Sequence, residues 1–156
     1  MKNILFFACV MVAVILQLGF QEKPKPKTNI VKIYFDLNSD VPCDKSPEKK
    51  DYTSNKTITH IASQVINQSK MLYIRSYSGY DEDKRQELMN KRTKNVRELF
   101  HKAGVDPLNI IIELCGPQHI DLPVTKASVD AAKTEEQKEK LRSFNRFTEV
   151  KILPKK

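Results

Sequence analysis

Arg92 is the residue of this chain best placed to do chemistry. It falls with Leu88 and Val96 on the apolar face of a helix-periodic run, so its guanidinium must meet either the edge of the core or a ligand. A planar guanidinium offers its donors in a fork that suits two-point contact with a carboxylate. That carboxylate can come from the chain itself, with Glu82, Glu87 and a sheet-edge acid as candidates, or from a bound molecule. Asp81-Glu82-Asp83 is an acidic cluster upstream, and at a helix start such a run also complements the macrodipole. Other chemistries find little support. His60, His101 and His119 are dispersed, and Cys115 with His119 and Asp121 lacks the further ligands of a metal site. There is no Ser-His-Asp or Cys-His signature and no phosphate-cradling loop among the four glycines. The residues point to recognition: not an enzyme, with no cofactor and no metal.

The elements that must position Arg92 follow from periodicity. Ile30 to Leu37 alternates Val31, Ile33, Phe35 and Leu37 with Lys32, Tyr34 and Asp36, a half-buried strand. Asn38 to Asn55 has no periodic apolar face and reads as a long loop. Asn55 or Thr57 opens a helix with Ile58, Ile61, Ala62, Val65 and Ile66 on one side. Met71 to Ser76 is a second strand. Glu82 to Ala103 is a long helix that carries Arg92; Gly104 fits the position just past its end, and Asp106-Pro107 stops it. Asn109 to Leu114 reads as a strand buried on both faces, and Ile120 to Val129 as irregular. Thr134 caps a charged helix running to Phe144, and Arg146 to Leu153 is the last strand. The order strand-helix-strand-helix-strand-helix-strand predicts an α/β (α+β) two-layer sandwich, with helices on one face of a small sheet.

The chain has 156 residues and a formal charge of +8. Residues 1–20 read as an export segment: Lys2 precedes an apolar run from Ile4 to Phe20 whose length lies between a secretory core of about 7–15 residues and a spanning helix of about 18 or more. Without a clear small-residue cleavage site, an uncleaved anchor is favoured over a cleaved signal. Cys9 sits inside the run and reads as a small hydrophobe. Residues 21–28, with Lys23-Pro24-Lys25-Pro26-Lys27, form a spacer that neither helix nor central strand accepts. Residues 29–154 are then one exported domain. Its basic residues are spread among acids and not gathered on one helix face, which argues against nucleic acid and suits anionic wall polymers or lipids.

Three separated stretches, Phe35-Asp36-Leu37-Asn38-Ser39, Leu88-Met89-Asn90-Lys91-Arg92 and Asn145-Arg146-Phe147-Thr148-Glu149-Val150, together resemble the peptidoglycan-binding domain of the OmpA-like (OmpA C-terminal and Pal-type) family, whose patterns are approximately F-D-x-N-S, L-S-x-x-R-A and N-R-R-V-E-I. The resemblance covers about Ile30 to Leu153. It implies a four-stranded mixed sheet, β-α-β-α-β-(α)-β, with the last strand between the first two. It also implies a non-catalytic periplasmic protein that holds the diaminopimelate residue of a cell-wall stem peptide. Arg92 matches the family arginine that meets the ligand carboxylate, and loss of Arg92 is expected to weaken binding without unfolding the domain.

The departures from the family pattern are informative. Gly79 stands where the family has the aspartate that meets the ligand ammonium, Met89 replaces its serine, and Phe147 its second arginine. Asp81 or Asp83 can supply the missing carboxylate, with Tyr77, Ser78 and Asn38 completing the site, while the same acidic cluster equally suits a helix N-terminus. The alternative is a degenerate domain serving as a protein-interaction module among other envelope proteins. Cys43 and Cys115 can bridge in an oxidising compartment. The family strand order puts their strands at opposite sheet edges, so a bridge needs the first loop to fold across.

Overall fold

A computed structural model describes residues 29–114 and 122–155. The export segment 1–20 with Cys9, the spacer 21–28, and Cys115, His119 and Asp121 lie outside the described residues. Among those that are described, no helix is long and apolar enough to cross a membrane.

Four strands form one mixed sheet: β1 (Ile30–Tyr34), β2 (Lys70–Ser76), β3 (Ile110–Glu113) and β4 (Phe147–Pro154), in the order β1-β4-β2-β3. The last strand runs antiparallel to both neighbours, pairing Ile33 with Thr148 on one side and Ile74 with Val150 on the other. β3 lies parallel to β2, Ile74 opposite Ile112. Period-two alternation sends Ile33, Leu72, Ile74, Val150 and Ile152 to one face, where all are buried. Helices α1 (Ser54–Asn67) and α2 (Arg85–Lys102) close that face. They contribute Ile58, Ile61 and Val65 from α1 and Val96 and Phe100 from α2 to the same core. Each such side chain stabilises by roughly 1.5–3 kcal/mol relative to exposure.

The helix ends show local chemistry at work. α2 stops in a full Schellman arrangement: Gly104, at φ +94°, donates to the carbonyl of His101, and Val105 donates to that of Phe100. α1 has no side-chain cap from its own N-terminal residue; instead Asp44, ten residues back, accepts from both the amide and the hydroxyl of Ser54. Together with Asn95, which donates to the carbonyl of Asp40, that contact ties the long first loop to both helices.

Four readings are corrected. β1 ends at Tyr34 and not at Leu37, because the chain turns there and Phe35 makes only an isolated bridge to Pro42. β3 is not buried on both faces. It is an edge strand with one face uncovered, and Ile111 is 42% exposed. The irregular stretch contains a short helix α3 (Lys126–Asp130), whose Thr125 side chain accepts from the amide of Ser128. α2 begins at Arg85 and not at Glu82, since Lys84 is held in the left-handed region at φ 43° and leaves the acidic cluster outside the helix. The charged helix α4 (Glu135–Ser143) forms as expected, with a reciprocal capping box between Thr134 and Gln137.

Candidate functional site

The three short stretches come together at one end of the sheet: Arg92 of the second contacts the first, and the first meets the third where the Phe35 amide donates to the carbonyl of Arg146. α2 carries Arg92 inward, and its side chain is fully buried. Nε donates to the carbonyl of Ser39 at 2.8 Å, Nη1 to that of Tyr77 at 3.1 Å, and Nη2 to that of Asp36 at 3.3 Å. The guanidinium carbon sits 4.6 Å from the centre of the Phe35 ring, a cation–π contact. Backbone from the first stretch and from the end of β2 therefore fixes the guanidinium before any carboxylate is considered.

The carboxylate that meets Arg92 is Glu82. Nη2 donates to Oε1 at 2.6 Å and Nη1 to Oε2 at 2.9 Å, a fork-on-fork pair. Two backbone amides complete it: Asn38 donates to Oε1 at 3.1 Å and Gly79 to Oε2 at 2.8 Å. Both side chains of the pair have zero exposure. All five guanidinium N–H groups thus have acceptors, and each oxygen of Glu82 has two donors.

The other expected residues surround this pair in distinct roles. Asp81, next in sequence to Glu82, turns the opposite way and pairs with Arg146 at 2.5 Å. Asp83 is exposed; its amide donates to Asn38 Oδ1 at 2.9 Å and its carboxylate accepts from Asn38 Nδ2 at 3.2 Å. Asn38 itself is in the left-handed region at φ 54°, which asparagine tolerates better than most residues. Ser78 is buried, with its hydroxyl on the carbonyl of Gly79 and its own carbonyl accepting from Arg85. The Tyr77 ring stacks on Phe147, centroids 4.4 Å apart and planes 16° from parallel. Cys43 carries a free thiol, which burial pushes up in pKa, and its suggested partner Cys115 lies outside the described residues.

Gly79 has a steric reason. A Cβ there would run into the carboxylate of Asp81, so a side chain at that position requires Asp81 to move. Asp81 and Glu82, although neighbours, serve two different arginines. Asn145, from the third stretch, is fully buried and pins the chain ahead of α3: Val124 donates to its Oδ1 and its Nδ2 donates to the Val124 carbonyl. Sequence reasoning placed Glu82 only among the candidate internal partners of Arg92 and gave no role to the side chain of Arg146. The available signal for Glu82 was the position of Arg92 on an apolar helix face, since a charge carried into a core needs a buried counter-charge.

Beside the pair lies a shallow groove of about 190 Å³, lined by Asn38, Asp83, Lys84, Glu87, Leu88 and Lys91. It presents both signs of charge to solvent, directly over the helix turn that carries Arg92.

By sequence, no family model and no curated protein matches the chain. By structure, its fold is similar to the OmpA-like domain of FopA1 from Francisella tularensis (14% identity, TM-score 0.55, 83% of this chain and 75% of that one). It is also similar to the cell wall anchor of the T6SS from Pseudomonas aeruginosa (15% identity, TM-score 0.59, 85% and 86%). A third likeness is to the peptidoglycan-associated lipoprotein from Burkholderia pseudomallei (15% identity, TM-score 0.52, 88% and 98%). The described residues form a domain of OmpA-like fold, divergent in sequence.

Proposed function

We propose that this is a non-catalytic envelope protein, exported to the periplasm and held at a membrane by its N-terminal segment, whose OmpA-like domain associates non-covalently with peptidoglycan. The observation that carries the reading is the carboxylate receptor at Arg92: a guanidinium and two backbone amides, from Arg92, Asn38 and Gly79, converge on one carboxylate position. The diaminopimelate side chain of a stem peptide ends in a carboxylate and an ammonium. The first suits Arg92 with the amides of Asn38 and Gly79; the second suits Asp83, the exposed carboxylate on the rim. Asp81 is committed to Arg146 and supports the loop, and Tyr77 and Ser78 shape the wall behind it.

A second reading is favoured by one specific observation. Every N–H of Arg92 is already taken, so a domain that only needed its fold, as an interaction module within an envelope assembly, would look the same. Co-sedimentation of the full chain with purified diaminopimelate-type peptidoglycan separates the two. Pelleting that falls at least threefold in Asp83→Ala, a rim variant outside the core, supports the peptidoglycan reading. Absence of pelleting by the unmodified chain and by variants that vacate Arg92 overturns it in favour of the module.

A further inference from the structure

Glu82 occupies the seat that a bound carboxylate would take. Its four hydrogen-bond donors all belong to the receptor: Arg92 Nη1 and Nη2 from α2, the amide of Asn38 from the first loop, and the amide of Gly79. The guanidinium has anchors besides Glu82, because the carbonyls of Asp36, Ser39 and Tyr77 each accept from it. Glu82 arrives on the short connection between β2 and α2, and not from a strand or helix. Its neighbours on that connection face solvent at Asp83 and Lys84, and Lys84 is in a backbone conformation that L-residues disfavour. A carboxylate in this position is an occupant on a tether.

We propose that Glu82 is a built-in ligand: the Arg92 receptor holds one carboxylate at a time, and an external carboxylate enters only by exchange with Glu82. The external group is a carboxylate on a peptide or similar small chain. That it is a cell-wall stem peptide rests on the peptidoglycan reading above; the exchange itself does not. A tethered competitor acts at an effective concentration of roughly millimolar or more. A free monocarboxylate therefore loses to it at ordinary concentrations. A ligand that also engages the charged rim at Asp83, Lys84 and Lys91 recovers part of the difference. The apparent affinity is the intrinsic one scaled by the fraction of molecules with Glu82 out.

Glu82→Ala, made in the full chain, vacates the seat. Its thermal midpoint is measured in sodium acetate and in sodium chloride at equal ionic strength, beside the unmodified chain and Glu98→Ala, a control lacking an exposed acid of α2 outside the groove. The expected result is a saturable rise with acetate in Glu82→Ala alone. Should Glu82→Ala fail to fold unaided, refolding yield in acetate against chloride reads the same exchange: recovery in acetate supports it and none overturns it. Equal responses to acetate and chloride, or an acetate response shared by all three proteins, also overturn it. Pelleting with peptidoglycan then gives the second arm, with binding by Glu82→Ala expected at least tenfold tighter than by the unmodified chain. Acetate rescue without that gain leaves the receptor standing and removes peptidoglycan as its ligand.

Discussion

Two arginines of this domain are buried alike and served by adjacent acids of one loop, yet their surroundings differ. Arg92 has no exposure, and its partner Glu82 has none either. Arg146 is 2% exposed, but its partners Asp81 and Glu139 keep 18% and 49% of their side chains in solvent. Arg92 has an acceptor for each of its N–H groups, whereas Arg146 Nε and Asp81 Oδ1 are buried without a hydrogen-bond partner. Burial alone would push the Arg146 guanidinium down, but Glu139 and Asp81 outweigh it and hold its pKa above the ordinary arginine value. The difference separates the two ion pairs. On the exchange proposal the sealed pair, with complete hydrogen bonding, is a filled receptor; the pair open on one side links α4 to the loop after β2.

That contrast is broken most directly by truncating each arginine. Arg92→Ala leaves Glu82 buried with two of its four donors gone and three backbone carbonyls without their donor. Removing one partner of a buried pair costs about 3–5 kcal/mol, a large share of the roughly 5–15 kcal/mol that holds a domain of this size folded. The expectation that loss of Arg92 spares the fold therefore gives way to a stability effect. Arg146→Ala leaves Asp81 and Glu139 free to turn into water, and the loss is nearer that of charged hydrogen bonds, roughly 1.5–3 kcal/mol. Urea unfolding of the two variants tests the order. Equal losses would mean that exposure of the partner acids does not decide the cost.

Gly79 sharpens the comparison because it touches both arginines' partners. Its amide holds Glu82, while its missing side chain leaves space for Asp81. Gly79→Ala is expected to drive Asp81 off Arg146 and destabilise the domain by about 1–3 kcal/mol, the usual range for overpacking. In the Asp81→Ala background the same change should cost clearly less, since the collision is gone. A double-mutant cycle by urea unfolding measures that non-additivity. Additive effects would place the strain elsewhere in the loop.

Much of the frame around these arginines is legible in the sequence, and the unread parts share a physical cause. The alternation of Val31, Ile33 and Phe35, and the spacing of Leu88, Arg92, Val96 and Phe100, report which face of each element is apolar. They do not report how many neighbours a strand has. Ile110-Ile111-Ile112 therefore reads as doubly buried when it is an edge strand with Ile111 half in water. Helix α3 is only five residues long, too short for periodicity to appear. The site shows the same limit more sharply. Arg92 is legible because a charge on an apolar stripe is anomalous. Which of three consecutive acids meets it depends on the path of a loop, and the tight passage at Gly79 sends Asp81 and Glu82 in opposite directions.

The smallest effect separates the corner around Arg146 from the sealed pair by pH. Tyr34 and Tyr52 meet edge to face there, rings 5.7 Å apart, and a cavity lined in part by Tyr34, Cys43, Glu139 and Arg146 adjoins them. Burial pushes the Tyr52 hydroxyl up to about 12, and Tyr34 is raised as well, by burial and then by Glu48. A folded state that holds its phenol proton more tightly than the unfolded chain, where tyrosine titrates near 10, is favoured in full below that value. The contribution is lost as pH rises from about 10 towards 12. For Tyr52 the loss is on the order of 2 kcal/mol. Stability measured against pH should fall across that window, with tyrosinate absorbance appearing late and together with unfolding. In Tyr52→Phe the fall should be shallower, despite a lower starting value from loss of the contact between the Tyr34 amide and the Tyr52 hydroxyl. An unchanged slope in that variant would assign the alkaline transition to a different part of the molecule, and the corner would then be no softer to base than the receptor it adjoins.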